Sequence, residues 1–306
     1  MFVERLSSAE DLLAVLSRRE PRWFVVPNDW VFRGQANSTW PLTPSAFRPG
    51  NFRSRGTALQ PKGTHKEQAE EEARLIQQFV RGLDQQGLPL PVEAAARWLD
   101  RRSMLEDFHG SEMWRNWPPP ELAPLVALAQ HYQVPTRLLD WTENPLVAAY
   151  FAALEAAEHV EERRAESFAV WAAHNSVSMG FAFQESHEFS RFNVELVRAP
   201  RSSNPNLRAQ AGIFTRLTDR EKKPDDPAFI PPLDELVQNL HAESQRSGRN
   251  CHAWLWKLEV PVAEAPKLLR YLAYEGVSGT YLYPGLGGVV QGMREKALWD
   301  VEMYGP

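Results

Sequence analysis

Residues 131–152 read HYQVPTRLLDWTENPLVAAYFA, and the segment 130–145 holds more polar, charged and aromatic side chains than core packing requires. A helix is expected to end near Tyr132, a short extended segment to follow, and a new helix to begin at Thr142 or Asn144, with Pro145 in its first turn. Helix capping explains part of this composition. Because capping does not require His, Tyr, Arg, Asp and Glu together, the segment is a candidate functional site.

Two further segments combine polar side chains in a similar way. Phe32-Arg33-Gly34-Gln35 follows an aromatic run, and an Arg that ends a strand before a Gly leaves its guanidinium free and lets a ligand approach the backbone. The alternative for this Arg is a structural ion pair with a carboxylate. Residues 206–214 predict a strand with Arg208, Gln210 and Gly212 on one face, which borders either a cleft or solvent.

Hydrophobic periodicity assigns helices and strands to the rest of the chain. Helices are predicted at about 9–19, 66–83, 122–132, from 145 onward and at 265–274, and Ser7 and Glu10 have capping-box spacing before the first of them. Strands are predicted in a hairpin over 22–32 and at 168–174, 192–198, 207–215 and 252–260. Their irregular alternation predicts an α+β fold with mixed or antiparallel sheets flanked by helices.

We predict a single domain over residues 1–306. It comprises an N-terminal helix (1–21), a part with the polar segments (22–216), a charged, Pro-rich loop and helix (217–250), and a C-terminal strand–helix part (251–306). The glycine run Gly285-Leu286-Gly287-Gly288 lacks the third glycine of a dinucleotide fingerprint, because Val290 stands there. A helix-terminating turn is expected instead.

Composition excludes several functional classes. The 306 residues include one cysteine, which excludes an internal disulfide framework and a multi-cysteine cluster, and no metal is expected. Arg supplies 27 of the 34 cationic side chains, which favours anion binding, while a net charge of −5 argues against non-specific coating of nucleic acid. Without a signal peptide or an apolar run of about 20 residues, a cytoplasmic protein with no membrane contact is expected.

Several of these segments resemble one family, the FRG domain family. They are Phe32-Arg33-Gly34, the helix ending Phe79, the 131–152 run, the stretch RAQAGIF at 208–214 and the closing TYLYPGLGGV at 280–289. The resemblance extends from about Trp30 to about Gly292. Gln133 stands where a Gly is expected, which is a minor departure from the family's pattern.

The order of the segments also resembles an ADP-ribosyltransferase fold of the arginine–serine–glutamate type. This resemblance implies an ADP-ribosyltransferase-like core with NAD as substrate, Arg33 on the NAD phosphates, and Asp140-Trp141-Thr142 in the place of a Ser-Thr-Ser element. Gln210 then stands on the strand that carries the catalytic glutamate in such enzymes. Since Gln supplies no charge for the cationic transition state, either Glu143 or Asp140 has this role, or the activity is altered or lost.

The candidate residues divide into two groups. The catalytic candidates are Arg33, Thr142, Gln210, Glu143 and Asp140. The candidates for binding NAD through its phosphates, polar groups or rings are Arg33, Gly34, Gln35, His131, Tyr132, Arg137 and Trp141.

Three functions are compatible with the sequence. The leading hypothesis is an NAD-dependent ADP-ribosyltransferase-like enzyme, a toxin or phage-defence effector that modifies nucleic acid or protein, with an antitoxin or another protein as a partner. The second is a non-catalytic FRG module that binds a nucleotide or nucleic acid through the same cleft. The third is a protein-interaction domain in which the polar segments are structural.

Overall fold

The structure is a computed structural model that describes residues 1–17, 19–23, 30–50, 63–110, 112–158, 165–174, 192–201, 204–246 and 255–304. The strands in these ranges are β1 (Phe2–Arg5), β2 (Trp30–Gln35), β3 (Leu138–Thr142), β4 (Ser167–His174), β5 (Phe192–Val197), β6 (Gly212–Asp219) and β7 (Leu255–Pro261). They form one sheet in the order β1-β7-β4-β2-β3-β6-β5. β1 and β7 are parallel and the other neighbours are antiparallel.

Helices surround this sheet, which confirms the predicted α+β class with a mixed sheet. They are α1 (Ala9–Leu16), α2 (His65–Gln85), α3 (Arg101–Gly110), α4 (Ala123–His131), α5 (Pro145–Glu158), α6 (Pro205–Ala209), α7 (Leu233–Arg246), α8 (Ala265–Tyr274), α9 (Gly279–Leu282) and α10 (Leu286–Tyr304). In the described part of the chain, none of them has the length and apolar composition to cross a membrane.

Apolar side chains bury both faces of the sheet. On one face α1, α5 and α8 pack against Phe32, Phe168 and Leu258. On the other face α7 and the segment 42–47 cover Trp141 and Trp171. Because side chains alternate along each strand, these two sets occupy alternating positions and exclude water from both faces.

A third apolar cluster joins α2, α3 and α4 into a helical layer beside the sheet. Trp98 and Trp117 stack in its centre with their ring centroids 5.5 Å apart, and Phe214 of β6 contributes to the same cluster. Thr64 begins the layer with a capping box: its hydroxyl accepts a hydrogen bond from the Glu67 N–H, and the Glu67 carboxylate accepts one from the Thr64 N–H.

Most of the predicted elements are confirmed, with shifted ends. The predicted helices at 66–83, 122–132 and 265–274 correspond to α2, α4 and α8, and the strands at 168–174 and 192–198 to β4 and β5. The strand at 252–260 corresponds to β7, although residues 252–254 lie outside the described residues. The first helix stops at Leu16, three residues early, and its capping partners are Ser8 and Asp11 rather than Ser7 and Glu10.

Two strand predictions are wrong in part: the strand at 207–215 begins late, and only the second strand of the 22–32 hairpin is seen, as the start of β2 at Trp30. Residues 205–209 form α6 and β6 begins only at Gly212, so Arg208, Gln210 and Gly212 do not share one strand face. Asn204 caps this short helix, and Ala211 has a left-handed φ of 48° that separates helix from strand. At the start of the predicted 22–32 hairpin, Pro21–Trp23 is a 3-10 helix, and residues 24–29 lie outside the described residues.

The C-terminal glycine run spans the turn after α9 and the first turn of α10. Gly285 has a φ of 104° and forms the turn after α9, as expected of a helix-terminating turn. The helix that follows, α10, was not predicted, because glycines lower helix propensity. The absent side chain of Gly288 has a packing role here, since a Cβ at this position would lie 1.8 Å from the Tyr283 carbonyl oxygen.

Gly34 allows β2 to approach α5 closely. A Cβ at this position would lie 2.1 Å from the Ala148 carbonyl oxygen and 2.6 Å from the Ala152 nitrogen, both of them backbone atoms that cannot rotate away. The packing of α5 on the sheet therefore requires glycine at this position of β2.

We expect Gly34→Ala to lower the free energy of unfolding by about 3 kcal/mol, because the helix must move away from the strand. Urea unfolding followed by circular dichroism measures this. Gly82→Ala is the matched control, since nothing lies within 4 Å of a Cβ there and α2 gains a better helix former. Equal stabilities of the two variants would contradict the packing argument.

Candidate functional site

A cavity of about 830 Å³ opens where β2 and β3 separate. Eight of the predicted site residues line it: Arg33, Gly34, His131, Tyr132, Asp140, Trp141, Thr142 and Gln210. Gln130 and Asn206, which belong to the polar segments 130–145 and 206–214, line it too, and so do several residues that were not predicted, among them Ser45, Arg48, Phe151 and Tyr283. Residues from strands, helices and loops that are far apart in sequence therefore meet in one cleft.

The cleft exists because the pairing of β2 and β3 stops early. The two strands share a single register pair, Phe32 with Thr142. The Arg33 side chain occupies part of the gap, where its Nη1 donates a hydrogen bond to the Asp140 carbonyl oxygen at 2.8 Å. The Arg33 guanidinium thus donates to a backbone carbonyl that would have accepted a hydrogen bond from the neighbouring strand if the pairing of β2 and β3 continued.

The same guanidinium forms an ion pair with the Asp140 carboxylate. Arg33 Nη1 lies 2.7 Å from Asp140 Oδ1, and Gln130 Nε2 donates to that oxygen at 3.2 Å. Partial desolvation in the cleft opposes the charge of the carboxylate, but Arg33 outweighs it, so the pKa of Asp140 lies below its usual range. The Asp140 side chain remains 59% exposed, whereas that of Arg33 is 10% exposed.

Arg48 places a second guanidinium at the cavity. It follows the 3-10 turn Ser45–Phe47, and its Nε donates to the Thr43 carbonyl oxygen at 2.7 Å. Burial and the nearby Arg33 lower the pKa of Arg48, but a guanidinium stays charged at neutral pH. The excess of Arg over Lys was the sole sequence signal for this residue, and it does not single out a position.

Aromatic and neutral polar groups form the remaining walls. Burial lowers the pKa of His131, which favours the neutral imidazole at pH 7. Tyr132 is 59% exposed and its ring meets the His131 ring edge-on, with centroids 5.3 Å apart. Trp141 is among the lining residues, but its ring is buried in the core cluster with Trp171 and its Nε1 donates to Thr215 Oγ1 at 2.9 Å. The cleft therefore offers both flat rings and charged groups.

Thr142 and Gln210 line the cavity but have hydrogen-bond partners within the protein. The Thr142 hydroxyl donates to the Gln210 carbonyl oxygen at 2.7 Å and accepts from the Asn144 N–H at 3.0 Å. Asn144 in turn caps α5, because its Oδ1 accepts from the Leu146 N–H at 3.1 Å. The Gln210 side-chain amide donates to the Leu282 carbonyl oxygen at 3.2 Å. These contacts hold β3, α6 and α9 together around the cleft.

Three predicted site residues do not line the cavity. The Glu143 carboxylate accepts hydrogen bonds from Arg198 and Arg201, each at 2.6 Å. Gln35 is buried beneath the strand, where its Oε1 accepts from Trp171 Nε1 at 2.6 Å. Arg137, the third, is 4% exposed.

The partner of Arg137 is Glu72 of α2, in a buried two-point ion pair. Its Nε and Nη2 lie 3.0 and 2.9 Å from the two carboxylate oxygens, which also accept from Trp117 Nε1 and Gln68 Nε2 at 3.1 Å each. Arg137 is therefore a structural residue that ties the start of β3 to the helical layer.

The C-terminal segment closes one side of the cleft. Tyr283 lines the cavity and meets Phe151 edge-on, with ring centroids 6.3 Å apart. The buried Glu295 carboxylate of α10 accepts from the Tyr150 hydroxyl at 2.7 Å and from the Gly279 N–H at 2.8 Å. These two hydrogen bonds fix α9 and α10 on α5, which positions Tyr283.

The described residues do not suggest a metal site, because no three His, Cys, Asp or Glu side chains among them group in a way that suits a metal ion. The side chains placed to hold a cofactor are Arg33 and Arg48 for anionic groups, and Tyr132, Phe151 and Tyr283 for rings.

We expect Glu72→Gln to lower the free energy of unfolding by about 3–5 kcal/mol, because Arg137 then lies buried without a counter-charge. Denaturant unfolding gives the value. Glu106→Gln removes one partner of the exposed pair with Arg102, which joins Nε and Oε1 at 3.1 Å, and is expected to change it by less than about 1 kcal/mol. Similar losses in both variants would contradict the structural role of Arg137.

Comparison with known proteins finds a family model that matches part of the chain. Residues 28–161 match the family model of the FRG domain, a segment that includes Arg33, Arg48 and the whole 131–152 run. No curated protein and no solved structure matches the chain. Together with the motifs at Phe32-Arg33-Gly34 and 131–152, the match identifies an FRG domain over residues 28–161 of this chain.

Proposed function

We propose that this protein binds a diphosphate-containing nucleotide, NAD or a close relative, in the cleft between β2 and β3. The observation that carries the proposal is the presence of two guanidinium groups, Arg33 and Arg48, at one cavity. Arginine is the side chain best suited to phosphate oxygens, because it donates several hydrogen bonds in a fixed plane and keeps its charge.

The size and the walls of the cavity support the same ligand class. Its volume of about 830 Å³ lies in the range of small-molecule sites. Tyr132 and Tyr283 provide flat faces for a base, and Gln130 and Asn206 provide amides for polar groups. Nucleotides combine rings, hydroxyls and phosphates, so each part of such a ligand has a suitable group in this cleft.

Arg48→Gln is expected to weaken NAD binding at least about tenfold, because a charge-assisted hydrogen bond to phosphate is lost. Isothermal titration calorimetry measures the affinity, and a thermal melt of each variant verifies folding. Arg33 is less suited to this test, because replacing it also removes the ion-pair partner of the Asp140 carboxylate.

Arg115→Gln is the matched control, since Arg115 is half exposed and pairs with Glu112 outside the cleft. It is expected to bind NAD like the unmodified protein. The proposal fails if neither NAD nor ADP-ribose binds at millimolar concentration, or if Arg48→Gln binds NAD as tightly as the Arg115→Gln control.

A second candidate function is ADP-ribosyl transfer from NAD to a nucleic acid or protein, and the position of Asp140 favours it. In this reaction the bond between ribose C1′ and the nicotinamide nitrogen breaks, the electron pair leaves with nicotinamide, and the acceptor attacks C1′. A carboxylate stabilises the cationic ribose in the transition state. Of the three acidic or amide candidates, Glu143 faces two arginines outside the cavity and Gln210 is uncharged, whereas Asp140 is ionised and open to the cleft.

If transfer or hydrolysis occurs, Asp140→Asn is expected to lower nicotinamide release at least about 100-fold, because the developing cation loses its counter-charge. Chromatographic assay of nicotinamide from NAD measures the rate. Glu143→Gln tests the competing carboxylate. A loss of activity in this variant with retention in Asp140→Asn would assign the role to Glu143 instead.

A further inference from the structure

Asp140 is the sole acidic side chain among the residues that line the cavity in the described ranges. Its Oδ1 accepts from Arg33 and Gln130, and its Oδ2 has no hydrogen bond within the described part of the chain. With 59% of the side chain exposed, Oδ2 is open to a ligand in the cleft. A site for an anionic ligand thus carries one carboxylate on its wall.

The charges of the cavity are therefore of both signs. Arg33 and Arg48 are positive and Asp140 is negative, and burial favours the neutral form of His131. One positive charge remains in excess. A carboxylate repels phosphates, so a nucleotide that carries only negative charges gains nothing from Asp140, whereas a ligand with phosphates and a cationic ring matches both signs.

We propose that Asp140 makes the cleft selective for a nucleotide with a cationic base, the oxidised pyridinium form of a pyridine dinucleotide, over the reduced form. This inference rests on the proposed function, because it presupposes that a nucleotide binds here. In the oxidised form, the positive ring faces Oδ2 and the phosphates face Arg33 and Arg48.

The aromatic wall supports the same preference. Tyr132 lies next to His131 and presents an exposed ring to the cavity. A pyridinium stacks more favourably on an electron-rich phenol ring than the neutral dihydropyridine does, because the ring face carries partial negative charge. Tyr132 and Asp140 therefore favour the same charge state of the ligand.

The experiment compares two ligands that cannot release nicotinamide. One is NADH, followed by its own fluorescence. The other is an NAD+ analogue with a carbocycle in place of the nicotinamide ribose, measured by displacement of NADH and by calorimetry. The unmodified protein is expected to bind the oxidised analogue about tenfold more tightly than NADH, a modest ratio because solvent screens an exposed carboxylate.

Asp140→Asn is the decisive variant. It keeps an oxygen for Arg33 and removes the charge, so the ratio is expected to fall to about 1, with NADH binding more tightly than before. A purely structural role of Asp140, as an anchor for Arg33, would instead weaken both ligands by the same factor. That outcome overturns the inference.

Glu112→Gln is the matched charge control, because Glu112 is 63% exposed, pairs with an arginine and lies outside the cleft. It is expected to keep the tenfold ratio. The outcomes also separate the two proposals. If neither ligand binds, the proposed function fails. If both bind the unmodified protein equally, the nucleotide site stands and the selectivity inference fails.

Discussion

The buried carboxylate of Glu72 connects the helical layer to the sheet in which the cleft opens. It holds Arg137 at the start of β3 and also accepts hydrogen bonds from Gln68 and Trp117, so the helical layer, the sheet and the Trp117 ring depend on one residue. A charge this deeply buried is tolerated only when its partners satisfy it, and here all the partners come from different segments. The orientation of β3, and with it that of Asp140, follows from this contact.

The site itself results from an interrupted sheet. β2 and β4 pair along the whole of β2, whereas β2 and β3 share one register pair, and the difference leaves a gap in which Arg33 replaces backbone pairing. Gly34 lets α5 lie close beneath this gap. Backbone packing and side-chain chemistry are thus combined in consecutive residues: Arg33 faces the cleft and Gly34 faces the helix. The carbonyl oxygen and the carboxylate of Asp140 hold the Arg33 guanidinium in this gap, and the guanidinium neutralises the carboxylate.

Local signals predicted α1, α2, α4, α5 and α8, because caps and apolar periodicity are short-range properties, but they did not predict α3, α6 or α10. The strand expected at 207–215 failed for a local reason too, since Asn204 can cap a helix and Ala211 adopts a left-handed conformation that no pattern of polarity reveals. Contacts between side chains far apart in the sequence could not be predicted from local patterns. Arg137 resembled a ligand-binding residue beside Asp140, but its partner lies 65 positions earlier, on α2. Arg48 was missed for the converse reason, since only the folded chain brings it to Arg33.

The segment that matches the FRG family model contains only part of the sheet. The segment that matches the family, residues 28–161, contains β2 and β3, while β4, β6 and β7, which flank them, come later in the chain. Cut out alone, it would keep two strands joined at a single register pair and lose Tyr283 from the cleft. The matched stretch therefore holds only two of the seven strands of the described sheet. A gene fragment that is to encode the whole described sheet and Tyr283 of the cleft has to extend past residue 161 through the C-terminal strands and helices.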